Sequence, residues 1–334
     1  MLKRIVILAV AVLFAAGVLA EAGLVGNLRV IISGGERYVT LKDVASVYGF
    51  SVSAPPGRKV YLQSKTRSME FEIDSRQARF NGTRVWLHSS TTKVRGKWVI
   101  TETDARRVLA PLLEPSSYLA SRDYKVVVLD PGHGGDDRGA KGRRNVEEKR
   151  VVLDVVRRAR VHLANAGLKV FLTRETDRFI ELGERSAKAA RWGGDIYVSV
   201  HLNSAPSAAP SGIETFVVAT PGYPTTAGTT ATRSDRLSYA GNSFDSANTV
   251  LGYYLQRALL SKAGGEDRGV RRARFMVLRN APCPAALVEC GFVSNSKEES
   301  LMLQANHREA IALAISKGVL DYVDAVKKAR VVAK

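Results

Sequence analysis

The 334-residue chain has five histidines, and two of them stand where a chain can do chemistry. His133 lies in "LDPGHGGDDRGAKG", three residues past an apolar run, "VVVLD", that reads as a buried strand. Gly132, Gly134 and Gly135 let the backbone bend there without steric cost. His201 ends a second such run, "DIYVSVH", and Glu289 falls near the end of a third, "AALVEC". Open α/β sheets gather their ligand sites outside the carboxyl ends of the strands, so the three residues belong to one neighbourhood. A carboxylate inside an apolar run is rare unless it is paired, metal-bound or catalytic. "NVEEKRVV" adds Glu147 and Glu148 at a helix start just after the His133 loop. Each has a plain structural reading, since glutamates suit a helix N-terminus and a lone histidine at a strand end is often structural. Taken together, two histidines and one glutamate around an open position make a catalytic zinc set. A further glutamate nearby is what a zinc hydrolase uses to handle the proton of a water. The glycine-rich turn could instead cradle phosphate, but the Gly-Lys-Ser/Thr ending of such loops is absent.

The elements that must position these residues follow from periodicity. From Lys125 the chain alternates strand and helix: "KVVVLD", a helix over 147–166, "LKVFLT", a helix over 180–192, "DIYVSVH", "IETFVV", a helix over 246–263, "ALVEC" and a helix over 305–325. In the first helix Val151, Val152, Val155, Val156, Ala159 and Leu163 recur at three- and four-residue steps, the mark of one buried helix face. The expected fold class is α/β, a layered and largely parallel sheet flanked by helices over residues 125–325. A small α+β domain precedes it over residues 27–113, read from short alternating runs such as "RYVTL", "KVYLQS" and "MEFEI" between turns "SGG", "APPG" and "NG". Its one histidine, His88, reads as a surface strand residue. Residues 114–124 read as a linker. Residues 220–247, rich in Thr, Ser, Gly and Pro, are too long for an ordinary connection and read as a mobile loop or a functional flap.

Composition narrows the setting. Hydrophobic residues at 45% and charged residues at 25% are ordinary globular values, whereas a net charge of +18, spread over both halves, is not. It suits a polyanionic neighbour: cell wall, anionic lipid or nucleic acid. Residues 1–20 open with Lys3 and Arg4, continue as an apolar run and place the small residues Val18 and Ala20 before Glu21. That is the layout of a secretory signal peptide, and export argues against nucleic acid. The run is short for a membrane span, which needs about 20 residues, so membrane contact is expected only through this segment if it is left uncleaved. Cys283 and Cys290 bracket a strand whose extended length, about 23 Å, exceeds the reach of a disulfide. Both are expected to be unpaired and at least partly buried.

These motifs, with "EEKRVVLDVV", "TRETDRFIELGERSAKAA", "SVHLNS", "SGIETFVV" and "DRGVRRARFMVLRNAPCPAALVECGFVSN", stand in an order and spacing that resembles the zinc-dependent N-acetylmuramoyl-L-alanine amidases of bacterial peptidoglycan. The resemblance covers residues 125–325. It implies one Zn²⁺ per chain on His133, Glu148 and His201, with Glu289 as the catalytic carboxylate. Glu148 is preferred to Glu147 because the family's ligand directly precedes a lysine. The implied reaction is hydrolysis of the amide between N-acetylmuramic acid and L-alanine, in the periplasm or cell wall. Asn203, Arg174 and Arg268 are expected to orient the site or hold substrate carboxylates. Residues 27–113 more weakly resemble the small domain named after copper amine oxidase N-termini, which implies no copper here and a part in wall binding. Some relatives carry a segment in the 220–247 position that blocks the site until an activator protein moves it; the polar composition here argues against a blocking helix. The readings that compete are a zinc peptidase acting on the stem peptide and a catalytically silent wall-binding protein. The latter would have lost ligands, and none is missing.

The leader makes its own expectation. Amino-terminal sequencing of exported protein should begin near Glu21, and a start at Met1 would identify an uncleaved anchor.

Overall fold

The computed structural model describes residues 28–119 and 123–332; the expected signal segment, residues 1–20, lies outside them. The first part is built from β1 (Val30–Ser33), β2 (Glu36–Thr40), helix α1 (Leu41–Tyr48), β3 (Ser51–Ser53), β4 (Lys59–Gln63), β5 (Ser68–Glu72), β6 (Ser75–Phe80), β7 (Thr83–Val94) and β8 (Lys97–Thr101). Local chemistry sets the ends of α1: the Thr40 hydroxyl accepts the Asp43 N–H at 2.9 Å, and Gly49 closes the helix in the left-handed region. After β8 the chain is helical through α2 (Glu102–Asp104), a π-helical turn (Ala105–Leu109) and α3 (Ala110–Leu113). The stretch read as a linker contains one more turn, α4 (Pro115–Tyr118).

The second part alternates as expected: β9 (Val126–Pro131), α5 (Glu148–Asn165), β10 (Lys169–Leu172), α6 (Leu182–Arg191), β11 (Ile196–Asn203), β12 (Ile213–Val218), α7 (Asp245–Ala263), β13 (Asp267–Ala273), α8 (Met276–Arg279), β14 (Ala285–Phe292), α9 (Ser296–Met302) and α10 (Ala305–Val332). Strands β10, β9, β11 and β14 lie side by side and parallel. β12 pairs antiparallel with β14 and parallel with β13, so the sheet is largely parallel with one reversed junction. Strand β13, "DRGVRRA", escapes a hydropathy reading because arginines stand where apolar residues usually do. Among the described residues no helix is long and apolar enough to cross a membrane.

Alternation along the strands assigns the two faces. Val127, Leu129, Val198, Val200, Ala286, Val288 and Cys290 enter the large core with Val152, Val156, Ala159, Leu255, Ile315 and Val319 of α5, α7 and α10. Val128, Tyr197, Val218 and Leu287 point the other way, into a smaller core with Ala189 of α6 and Leu278 of α8. Cys283 and Cys290 are both buried and form no disulfide with each other. Burial pushes the Cys290 thiol upward, so its sulfur acts as a packing group.

The two parts share a sheet. Strand β7 lies parallel to β13 through Val85 and Val270. The Arg84 N–H donates to Asp267 Oδ2 at 2.7 Å, and the Trp86 indole N–H donates to the Arg268 carbonyl at 3.0 Å. The large core accordingly runs from Val39 and Phe71 through to Val326. Helix α4 packs against α10 and α7, so residues 115–118 of the stretch read as a linker are part of the packed structure.

His88 corrects the reading of it as a surface residue. Its side chain has no exposure. Nδ1 lies 2.8 Å from Asp104 Oδ1 and Nε2 lies 2.9 Å from Thr220 Oγ1, whose hydroxyl donates to Asp245 Oδ2 at 3.0 Å. Asp104 also accepts from the His88 and Ser89 backbone N–H groups and the Thr101 hydroxyl. A strand residue between Leu87 and Ser89 gives no hint of this in sequence, because its partners lie on α2, the loop after β12 and the start of α7. Removing the central acceptor would orphan several buried donors. Asp104→Ala is therefore expected to lower the unfolding free energy by about 2–4 kcal/mol, read from the midpoint of urea denaturation at unchanged m-value.

Candidate metal centre

The loop between β9 and α5 carries the first candidate ligand, and its backbone is shaped by close approach. His133 sits in the left-handed region at φ 59°, uncommon for a residue with a side chain. A Cβ on Gly132 would lie 2.2 Å from the His201 ring, and one on Gly139 would lie 2.5 Å from a Glu148 carboxylate oxygen. Only glycine lets the loop fold this tightly around the two partners. Two buried guanidiniums hold it from beneath. Arg174 donates to the carbonyls of Pro131, Gly132 and Lys149, and Arg185 donates to those of Pro131 and His133 and to Asp130 Oδ1. Burial, with Arg185 beside it, pushes Arg174 down to about 10. Asp130 is itself buried under hydrogen bonds from Thr173, Arg185, Tyr197 and Ser199.

His133, Glu148 and His201 converge, with one potential ligand atom from each lying within 4.8 Å of the others. Glu148 Oε1 is 3.2 Å from His133 Nε2 and 2.9 Å from His201 Nδ1. The same oxygen accepts the Leu202 N–H at 3.0 Å, and Oε2 accepts the Ala140 N–H at 2.8 Å. Burial opposes the charge on Glu148, but the hydrogen bonds and charges of the two histidines prevail and hold its carboxyl well below the usual carboxylate range. Asp137 Oδ2 lies 2.8 Å from His133 Nδ1. That partner fixes the tautomer and leaves Nε2 facing the cluster, the carboxylate–imidazole support common behind metal ligands. Glu147 turns away, pairing with Arg150 at 2.8 Å and Arg138 at 3.7 Å. Two imidazole nitrogens and one carboxylate oxygen are the donor set of a catalytic transition-metal site.

Glu289 is brought to the same place by register. It lies opposite His201 across the β11–β14 ladder and opposite Glu214 across the β14–β12 ladder. Its Oε2 is buried and has no hydrogen-bond partner. Burial, with the charges of Glu148 and Glu214 adding to it, pushes the carboxyl well above its ordinary range. A cation among the three ligands would pull it back. Glu214 is a buried carboxylate that the sequence reading did not single out. It accepts from Asn203 Nδ2 at 2.7 Å, Arg268 Nε at 3.0 Å and Arg271 Nη1 at 2.6 Å.

Asn203 and Arg268, expected near substrate, thus meet on Glu214 beside Glu289. Arg174 does not reach the cleft. Its guanidinium is buried and committed to the loop carbonyls, so of its two expected roles it fits orienting the site, as a brace for the His133 loop, and not holding a substrate carboxylate. Asp130, Asp137, Arg185 and Glu214 went unnoticed because each gains its meaning from partners distant in sequence. Residues 220–236 form an irregular loop with one short helical turn, Ser234–Arg236, and no blocking α-helix is present among the described residues of this segment.

Comparison with known proteins adds to this geometry. Residues 127–321 match the model of the family described as N-acetylmuramoyl-L-alanine amidase. The chain is 34% identical over 230 residues to the N-acetylmuramoyl-L-alanine amidase AmiC of Escherichia coli O6:H1 (strain CFT073), covering 62% of this chain and 55% of that protein. It is 34% identical over 220 residues to AmiA of Escherichia coli K12, covering 59% of this chain and 76% of that protein. The chain thus spans about half the length of AmiC. Among solved structures, the catalytic domain of CwlV, an N-acetylmuramoyl-L-alanine amidase from Bacillus (Paenibacillus) polymyxa var. colistinus, aligns with a TM-score of 0.51 and 31% identity, covering 60% of this chain and 98% of that one.

The cluster makes a graded expectation for metal content, measured by elemental analysis after gel filtration. His133→Ala, His201→Ala and Glu148→Gln should each lose bound metal. Asp137→Asn should weaken affinity about 10–100-fold. Glu147→Gln should retain full occupancy.

Proposed function

The chain belongs to the N-acetylmuramoyl-L-alanine amidase family, and from that premise we propose that it is an exported zinc hydrolase that cleaves the amide between N-acetylmuramic acid and L-alanine in peptidoglycan. One observation carries the reading: His133, Glu148 and His201 gather within 4.8 Å while Glu289, opposite His201 in register, keeps one buried oxygen without a partner. One zinc per chain fits the mixed nitrogen and oxygen donors, since magnesium and calcium favour all-oxygen sites. The net charge of +18 suits work at a polyanionic wall, in the periplasm or on the cell surface.

His133, Glu148 and His201 would hold the zinc, which would supply Lewis acidity toward the scissile carbonyl and a water. The chain's own residues do the rest. Asp137 holds His133 in the tautomer that presents Nε2. Glu289 Oε2 takes the proton of the attacking water and delivers it to the departing alanine nitrogen. Glu214, fixed by Asn203, Arg268 and Arg271, keeps a second carboxylate beside Glu289. That neighbour favours the proton-holding form and eases the pickup.

Zymography on purified peptidoglycan tests the reading. Clearing that a chelator abolishes, with sugar chains freed of whole stem peptides, is the expected result; cut stem peptides still attached to sugar would mean a peptidase. Glu289→Gln keeps the size and polarity of the side chain but cannot take a proton. It should retain near wild-type metal content while activity falls about 10²–10⁴-fold. A Glu289→Gln variant that stays active removes Glu289 from the proton transfer.

A further inference from the structure

Beyond the metal centre the sheet continues onto the part of the chain that the family match does not reach. Strands β12, β13 and β7 extend the sheet face that carries Glu289 and Glu214. On it, a cleft of about 510 Å³ is lined by Glu214, Phe216, Thr225, Ala227, Arg271 and Phe275, among others. The rings of Phe216 and Phe275 meet edge to face at 5.1 Å. Arg271 lies between two aromatic partners, its guanidinium 5.1 Å from the Trp86 ring and 6.0 Å from that of Phe216. Trp86 belongs to β7, and its indole N–H is bonded to the Arg268 carbonyl. The loop that flanks the cleft is tied to the same amino-terminal unit. Arg76 donates to the carbonyls of Thr225 and Gly228, and the Tyr223 hydroxyl donates to Thr103.

We propose that the amino-terminal unit backs the substrate cleft, and that Arg271, seated on its Trp86, selects substrates whose stem peptide carries a free carboxylate. The charge balance points to that ligand. Arg268 and Arg271 share the single carboxylate of Glu214, and Arg272 and Arg274 also line the cleft, Arg274 paired with Asp235 at 2.6 Å, so the lining carries more positive than negative charge. Their side chains remain 28% and 18% exposed, enough to present guanidinium edges to a ligand. A guanidinium in a partly dry groove favours a carboxylate, which it can engage with paired hydrogen bonds, and a neutral glycan would leave the surplus charge unmatched. Glu214 lies opposite Glu289, so the cleft adjoins the reacting end. Trp86 is a positioning residue here, acting through Arg271. The inference rests on the amidase reading for the identity of the peptide.

The test uses the full chain and two ligand pairs: a stem peptide with free side-chain carboxylates and its amidated counterpart, each alone for calorimetry and each joined to the disaccharide for kinetics. Wild type should bind the acidic peptide about tenfold more tightly and show the same ratio in KM. Trp86→Ala should raise KM for the acidic substrate about fivefold to tenfold with kcat within twofold, leaving the amidated substrate unchanged. Trp86→Phe, which keeps the ring beneath Arg271, should restore most of the difference. Arg271→Gln should erase the preference, with thermal melts confirming that both positions tolerate change. Equal affinity of wild type for the two peptides overturns the assignment, as does a Trp86→Ala variant that loses kcat equally on both substrates. Tight, selective binding of the acidic peptide by an enzyme that cuts neither substrate would uphold the cleft and sink the amidase reading.

Discussion

A carboxylate buried between two imidazoles is the constraint around which this molecule is arranged. Glu148 loses its water and gains two ring nitrogens and two backbone N–H groups. An ion in that position is tolerable only with such partners in place. The three members of the cluster come from separate segments: the loop after β9, the first turn of α5 and the end of β11. Holding them together obliges the loop to turn sharply, which brings in the glycines, and obliges α5 to start at a set distance from the sheet.

Two arginines carry much of that obligation. Arg174 and Arg185 are almost fully buried, and between them they satisfy the carbonyls of Pro131, Gly132 and His133. A loop buried against a sheet would otherwise leave its carbonyls unpaired. Asp130 balances the charge of Arg185. The loop is therefore braced by a polar network beneath the site and leaves its upper face to the ligands, which is the preorganisation that metal binding and proton transfer both need.

The amino-terminal unit enters the same arrangement from the far edge. An exposed β13 would offer unpaired backbone groups to any passing strand. β7 covers it in part, and the buried His88, Asp104, Thr220 and Asp245 group links the two parts beyond the strand pairing. The long connection after β12 follows from this docking: it is anchored by Arg76 and Thr103 on one side and by Arg274 on the other. A segment that reads as loose by composition is thereby given a defined course.

Periodicity alone determined the alternation of strands and helices from Lys125 onward, because α5 and β9 repeat their apolar residues at the spacing of their own geometry. Motif order alone pointed to the two histidines and the carboxylates Glu148 and Glu289, since residue type and position at strand ends are local properties. The choice between Glu147 and Glu148 became geometric only in the fold, where the helix start turns one toward the histidines and the other toward Arg150. His88 was misread for a related reason: burial depends on what packs against a residue, and its partners come from distant segments. The second carboxylate, Glu214, and the docking of β7 on β13 were decided entirely by tertiary structure. Arginines in β13 look like surface in a hydropathy reading, and only the paired strands and the aromatic ring of Trp86 turn them into the lining of a site.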